Sequence, residues 1–129
     1  MPTPLYVQVQ KDENAATAVP TEWRGTIAWI VSQFAAGNFE LAAPPPNVKS
    51  SSPQDAIRFR AAVADYGDTL VALPESTWAS SQAQWMIGSW DVVVDLYTAE
   101  AGRSDLALFL QVHELVDGYT FDVDSIHVP

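Results

Sequence analysis

Between Thr69 and Val128, charged and polar residues alternate with aliphatic and aromatic ones, and this two-residue period constrains the fold more than any other feature of the chain. A strand turns successive side chains to opposite faces, so the pattern sorts carboxylates to one side of a sheet and hydrophobic groups to the other. From Ala61 to Pro129 there are eleven carboxylates and one base, Arg103, whereas residues 1–60 hold five acids and five bases. The formal charge of −10 therefore belongs to the second half. A sheet with an acidic rim or face is the object to explain.

At 129 residues and 48% hydrophobic content, the chain is long enough for one core and short for two. The absence of cysteine excludes a disulfide scaffold, thiolate chemistry and cysteine-based metal sites. No apolar run reaches the ~18 residues of a membrane span, and the N-terminus lacks a signal-like stretch, so a cytoplasmic protein is expected. Its acidity repels a phosphate backbone and an anionic membrane alike, which argues against nucleic acid and leaves a basic protein, a cation or no ligand at all as the better fits. Charge that serves only solubility is the competing reading.

Residues 1–20, with Pro2, Pro4 and Pro20, read as an N-terminal arm in which Leu5, Tyr6, Val7 and Val9 form a short edge strand. Residues 21–129 read as a single α+β domain. Thr21 is the expected N-cap of a helix whose apolar stripe is Trp23, Ile27, Ile30, Val31 and Phe34, stopped by Gly37-Asn38. Ser52-Pro53-Gln54-Asp55 opens a second helix by cap, first-turn proline and first-turn acid, and Gly67 ends it. Ile57, Ala61 and Ala64 mark one side of that helix, with Phe59, Val63 and Tyr66 beside them.

Thr69 to Leu73 is a short strand candidate closed by Pro74, and Glu75 to Ser81 is one helical turn carrying Trp78. Gln82 to Ile87 and Trp90 to Thr98 form a hairpin around Gly88-Ser89, followed by strands over Asp105–Glu114 and Tyr119–Val128. Alternation in the last strand changes parity at Ile126 and Val128, which predicts a bulge near Ser125 or a strand that meets different layers at its two ends. The expected fold is α+β: two N-terminal helices packed on one face of a mostly antiparallel meander of four to five strands.

The densest polar cluster is Asp95, Glu100, Arg103, Ser104 and Asp105, at one strand–loop–strand junction. Arg103 is placed to clamp Asp95, Glu100 or Asp105 through its planar fork of donors. The two histidines, His113 and His127, lie on strands that could bring them together, and with Asp95 or Asp124 they could approach a metal site. Their spacing matches no ligand signature, so neither metal nor cofactor is expected. Nor is there a GxSxG elbow or a glycine-rich phosphate loop. Trp78, Trp85 and Trp90 fall close together; they read mainly as core, with Trp85 or its neighbour Met86 left toward solvent as an anchor for a partner.

The stretch WDVVVDLYTAEAGRSDLALFLQV, followed by YTFDVDSIHVP, resembles a small bacterial family of uncharacterised domains, most specifically in VDLYT, GRSDL and the IHV ending. The likeness spans about Trp23 to Pro129. It implies a bacterial source and a compact α+β domain, and it brings no catalytic residues.

The sequence thus points to a non-enzymatic, acidic protein-binding domain, monomeric or homodimeric, of the kind that serves as an immunity-type inhibitor of a basic bacterial toxin. Its binding candidates are Trp85, Asp91, Asp95, Glu100, Arg103, Asp105 and Asp124. Two alternatives stand beside it: a small-ligand-binding or hydrolytic domain using His113, His127, Asp95 and Arg103, and a structural domain.

Overall fold

The computed structural model describes residues 6–129. In chain order they form β1 (Thr17–Ala18), α1 (Thr21–Ala35), α2 (Pro53–Tyr66), a 3-10 turn (Glu75–Ala79), β2 (Gln82–Trp85), β3 (Trp90–Thr98), β4 (Gly102–Leu115) and β5 (Gly118–His127). The strands make one open sheet in the order β1-β2-β3-β4-β5, each antiparallel to its neighbour. Two helices lie on one face of this meander, so the architecture is α+β.

The stripe read from α1 is the stripe that is buried: Trp23, Ile27, Ile30, Val31 and Phe34 all pack into the core. Full burial of side chains this size contributes about 1.5–3 kcal/mol each. Trp23 sits at the centre, with the rings of Trp90, Tyr119 and Phe121 edge-on at 5.1, 5.3 and 6.4 Å. Thr21 is not the cap, because Pro20 precedes the helix and the Thr21 hydroxyl accepts the Val7 N–H at 2.7 Å. The Thr21 N–H in turn donates to the Val7 carbonyl at 2.9 Å, which fastens the N-terminal segment to the helix start.

In α2 the signals at both ends hold. Ser52 caps the Asp55 N–H, Pro53 is the first helical residue, and Gly67 closes the helix at φ +93°. The buried side differs from the first one read: Ala56 and Phe59 are inside, with Val63 and Tyr66 half-buried in the same stripe, and Ile57 is 69% exposed. Phe59 decides the rotation, because its ring fills the space beside Phe34 (5.7 Å between centroids) that no alanine could fill.

Of the edge strand expected in the arm, Leu5 lies outside the described residues, and Tyr6, Val7 and Val9 are irregular. The edge strand is Thr17–Ala18, opposite Ala83 and Gln82. The strand expected over Thr69–Leu73 reduces to one bridge between Leu70 and Thr98. Pro74 and the 3-10 turn then occupy the rest of that edge of β3. The β2–β3 turn centres on Ile87-Gly88, one residue earlier than expected, with the Met86 N–H bonded to the Ser89 carbonyl at 2.8 Å.

Two irregularities shape the sheet. Between β3 and β4 the register slips between Asp95 and Tyr97. Between β4 and β5, Phe109 pairs with Ser125 and Leu110 with Val123, so Asp124 is the extra residue of the bulge anticipated near Ser125. No helix among the described residues is long and apolar enough to cross a membrane.

Candidate functional site

The helices cover the face bearing Val92, Val94, Leu96, Leu106, Leu108, Leu110 and Val112, all of which are buried. The opposite face is open. Along β3 it carries Asp91, Val93, Asp95 and Tyr97; along β4, Arg103, Asp105, Ala107, Phe109, Gln111 and His113; along β5, Thr120, Asp122, Ser125 and His127, with Asp124 displaced onto it by the bulge. The cross-strand rows are fixed by register. Gln84, Asp91, Gln111 and Asp122 form one, Val93, Phe109 and Ser125 the next, and Asp95, Ala107 and His127 a third.

The middle of this face is apolar. His127 stacks on Phe109 with ring centroids 4.0 Å apart, and the Ser125 hydroxyl lies 3.1 Å from His127 Nδ1. Around the stack stand carboxylates. Asp91 and Asp124 share a shallow concavity with Val93, Phe109 and Gln111. Asp95, Arg103 and Asp105 line another with Val128 and Pro129. Among the described residues Asp91, Asp105 and Asp124 form no ion pair; the four pairs present are Lys11–Glu114, Lys49–Asp122, Arg58–Asp55 and Arg60–Glu40.

Five of the seven expected binding residues, Asp91, Asp95, Arg103, Asp105 and Asp124, thus share the open face. The other two do not. Glu100 lies in the β3–β4 turn and accepts both the Thr69 N–H (2.8 Å) and the Thr69 hydroxyl (2.9 Å), which hold its carboxyl below the usual carboxylate range. Trp85 is on the helix-covered side, tilted against Trp90 at 4.5 Å, with the Lys11 ammonium 5.4 Å from its ring. Met86 is the neighbour left toward solvent, at 53% exposure.

The arginine clamp is not made, since Arg103 has no carboxylate within ion-pair distance among the described residues. Register explains this. Arg103 faces Tyr97, Glu100 turns to Thr69, and Asp95 is engaged elsewhere. The Asp95 carboxylate accepts the Ser80 hydroxyl, its N–H donates to Ser81 Oγ at 3.0 Å, and its carbonyl accepts the Thr77 hydroxyl at 2.6 Å. Asp95 therefore fastens the 3-10 turn to the sheet.

The histidines are not brought together either. His127 pairs with Ala107, and His113 lies six residues further along β4, roughly 20 Å away at the rise of a strand. No group of three or more histidine, aspartate and glutamate side chains stands within reach of one metal ion among the described residues.

What the sequence reading missed is the aromatic centre. The signal was present, for Phe109 is the one aromatic on the side of β4 that otherwise holds Arg103, Asp105, Gln111 and His113.

Two helices laid over one face of an antiparallel meander, with the other face acidic and uncovered, define the class as a small two-layer α+β domain. The chain belongs to the domain of unknown function DUF7668, whose profile matches residues 31–129. No curated protein and no solved structure matches it.

Proposed function

We propose that this chain is a non-enzymatic protein-binding domain that captures a basic partner on the open face of its sheet. The observation that carries this reading is the uncovered Phe109–His127 stack framed by Asp91, Asp105 and Asp124, carboxylates that form no ion pair among the described residues, although Arg58 donates to the Asp124 carbonyl at 2.8 Å. Interfaces are anchored by aromatic groups at the centre and surrounded by polar rims, and a field of one sign steers an oppositely charged partner. A cationic toxin held by an acidic immunity-type face is the concrete case this surface suits. A cytoplasmic site of action belongs to the same proposal.

The test compares the wild-type chain with the triple variant Asp91→Asn, Asp105→Asn, Asp124→Asn in capture from the native host, followed by association kinetics with the purified partner. The expected result is a basic protein bound by the wild type and lost by the variant, with an association rate that falls at least tenfold between low and high salt. A partner held equally by both chains, at a rate indifferent to salt, would overturn the reading.

A further inference from the structure

Four of the seven large hydrophobic side chains exposed among the described residues stand at one end of the sheet: Met86 (53%), Ile87 (72%), Leu115 (50%) and Val116 (106%). Topology puts them there. The β2–β3 and β4–β5 turns lie at the same end, and the pairing of Trp90 with Val112 carries the first turn level with Glu114 and Leu115. Met86 has the parity of Gln82 and Gln84, and Leu115 that of His113 and Gln111, so both extend the open face.

Ile87 carries a further mark. It sits at φ +54° beside Gly88 at +119°, in a two-residue turn whose geometry favours Asn-Gly and is poorly suited to a β-branched side chain. Two other non-glycine residues have positive φ, Leu41 and Ala43. Their loop is tied down: Leu41 is fully buried, and the Asn38 side chain accepts the Ala42 N–H at 3.1 Å. Among the described residues nothing comparable holds Ile87, whose side chain is 72% exposed. Non-glycine residues in such sparsely populated conformations cluster at ligand clamps and other functional positions.

Resting on the reading that the open face binds protein, we infer that the two turns are the apolar anchor of that same interface, and that Ile87 and Val116 seat in a hydrophobic cleft of the basic partner. Charge selects this occupant. Asp117 at the β4–β5 tip and Asp91 on the adjoining face form no ion pair among the described residues, Glu114 and Asp122 being paired with Lys11 and Lys49, and the chain as a whole carries a formal charge of −10, so an anionic lipid surface and a second acidic copy are both repelled, whereas a cleft rimmed by lysine or arginine is attracted.

A photoreactive benzoylphenylalanine is placed in turn at positions 87, 109 and 57, the last on the exposed side of α2, and the full chain is irradiated in the native host. Labelling of one basic protein from 87 and 109 but not from 57, with the yield at 109 reduced at least tenfold by Ile87→Asn, is the expected result. Labelling from 109 alone overturns the anchor and leaves the open-face reading standing. Labelling from 87 alone, or from neither, overturns both.

Cross-links between copies at 87, or co-sedimentation with phosphatidylcholine vesicles that Ile87→Asn abolishes, would give the tips to a second copy or to a membrane and overturn the inference. Ile87→Asn should also raise the midpoint of thermal unfolding by about 4 °C, because asparagine suits the turn and no packing is lost. A lowered midpoint would make Ile87 a structural residue and overturn its role as an anchor.

Discussion

The imidazole of His127 lies flat on the ring of Phe109, with planes within 1° of parallel, although the two residues occupy different cross-strand rows. His127 pairs with Ala107 and Phe109 with Ser125, so the contact is a diagonal one. Ala107 is left only 1% exposed on a face that no helix covers. The stack is therefore a small hydrophobic island among carboxylates.

Phe109→Ala tests how far the island contributes to the fold. Its ring is half-buried, so the loss should be about 1–2 kcal/mol, below the 3–5 kcal/mol of a fully buried aromatic. Denaturant unfolding measures it. A loss above about 4 kcal/mol would place the ring in the core and remove it from the proposed interface.

Thr77 is fully buried, and its hydroxyl meets the Asp95 carbonyl at 2.6 Å and the Ser81 hydroxyl at 3.3 Å. Thr77→Val keeps the shape and removes the hydroxyl that donates to the Asp95 carbonyl, while Ser81 keeps its bonds to the Thr77 carbonyl and the Asp95 N–H, for an expected loss of about 1–3 kcal/mol. The same variant should raise hydrogen exchange in the 3-10 turn. An unchanged stability would mean that the turn does not depend on this tie.

Glu100 gives the acid limb of stability a named contributor. Thr69 holds its folded carboxyl below the unfolded value, so its contribution is present above the unfolded pKa and is lost as pH falls through the folded one. Between about pH 6 and pH 3, the unfolding midpoint of Glu100→Gln should fall less steeply than that of the wild type. Parallel curves would show that the Thr69 contacts do not favour the ionised form.

Gly67 ends α2 at φ +93°, and a methyl group added there would meet nothing within 4 Å. The cost of Gly67→Ala is thus purely one of backbone conformation, about 1 kcal/mol, and Gly67→Asn should recover part of it. Equal losses for alanine and asparagine would argue against the left-handed conformation as the cause.

Periodicity and end signals made much of this fold legible. The five stripe residues of α1 repeat at the helical period, Ser52-Pro53 and Gly67 bracket α2, and the parity change at Ile126 revealed the bulge at Asp124. These features are local, because each is decided by backbone geometry within a few residues. The rotation of α2 was less so, since Phe59 outweighs Ile57 only once Phe34 is opposite it.

By itself, then, the sequence determined the two helices, the four strands β2 to β5 and the sorting of aliphatic and acidic side chains to opposite sides of the sheet, but not the edge strand Thr17–Ala18 or the reduction of Thr69–Leu73 to one bridge. Alternation assigns each side chain a face, but it carries no information about which residues stand opposite on the next strand. Tertiary structure alone decided that Asp95 serves Thr77 and Ser80, that Arg103 has no carboxylate within ion-pair distance among the described residues, that the histidines stand rows apart, and that Phe109 meets His127. Those outcomes follow from register and bulges, where a shift of one or two residues exchanges every cross-strand neighbour.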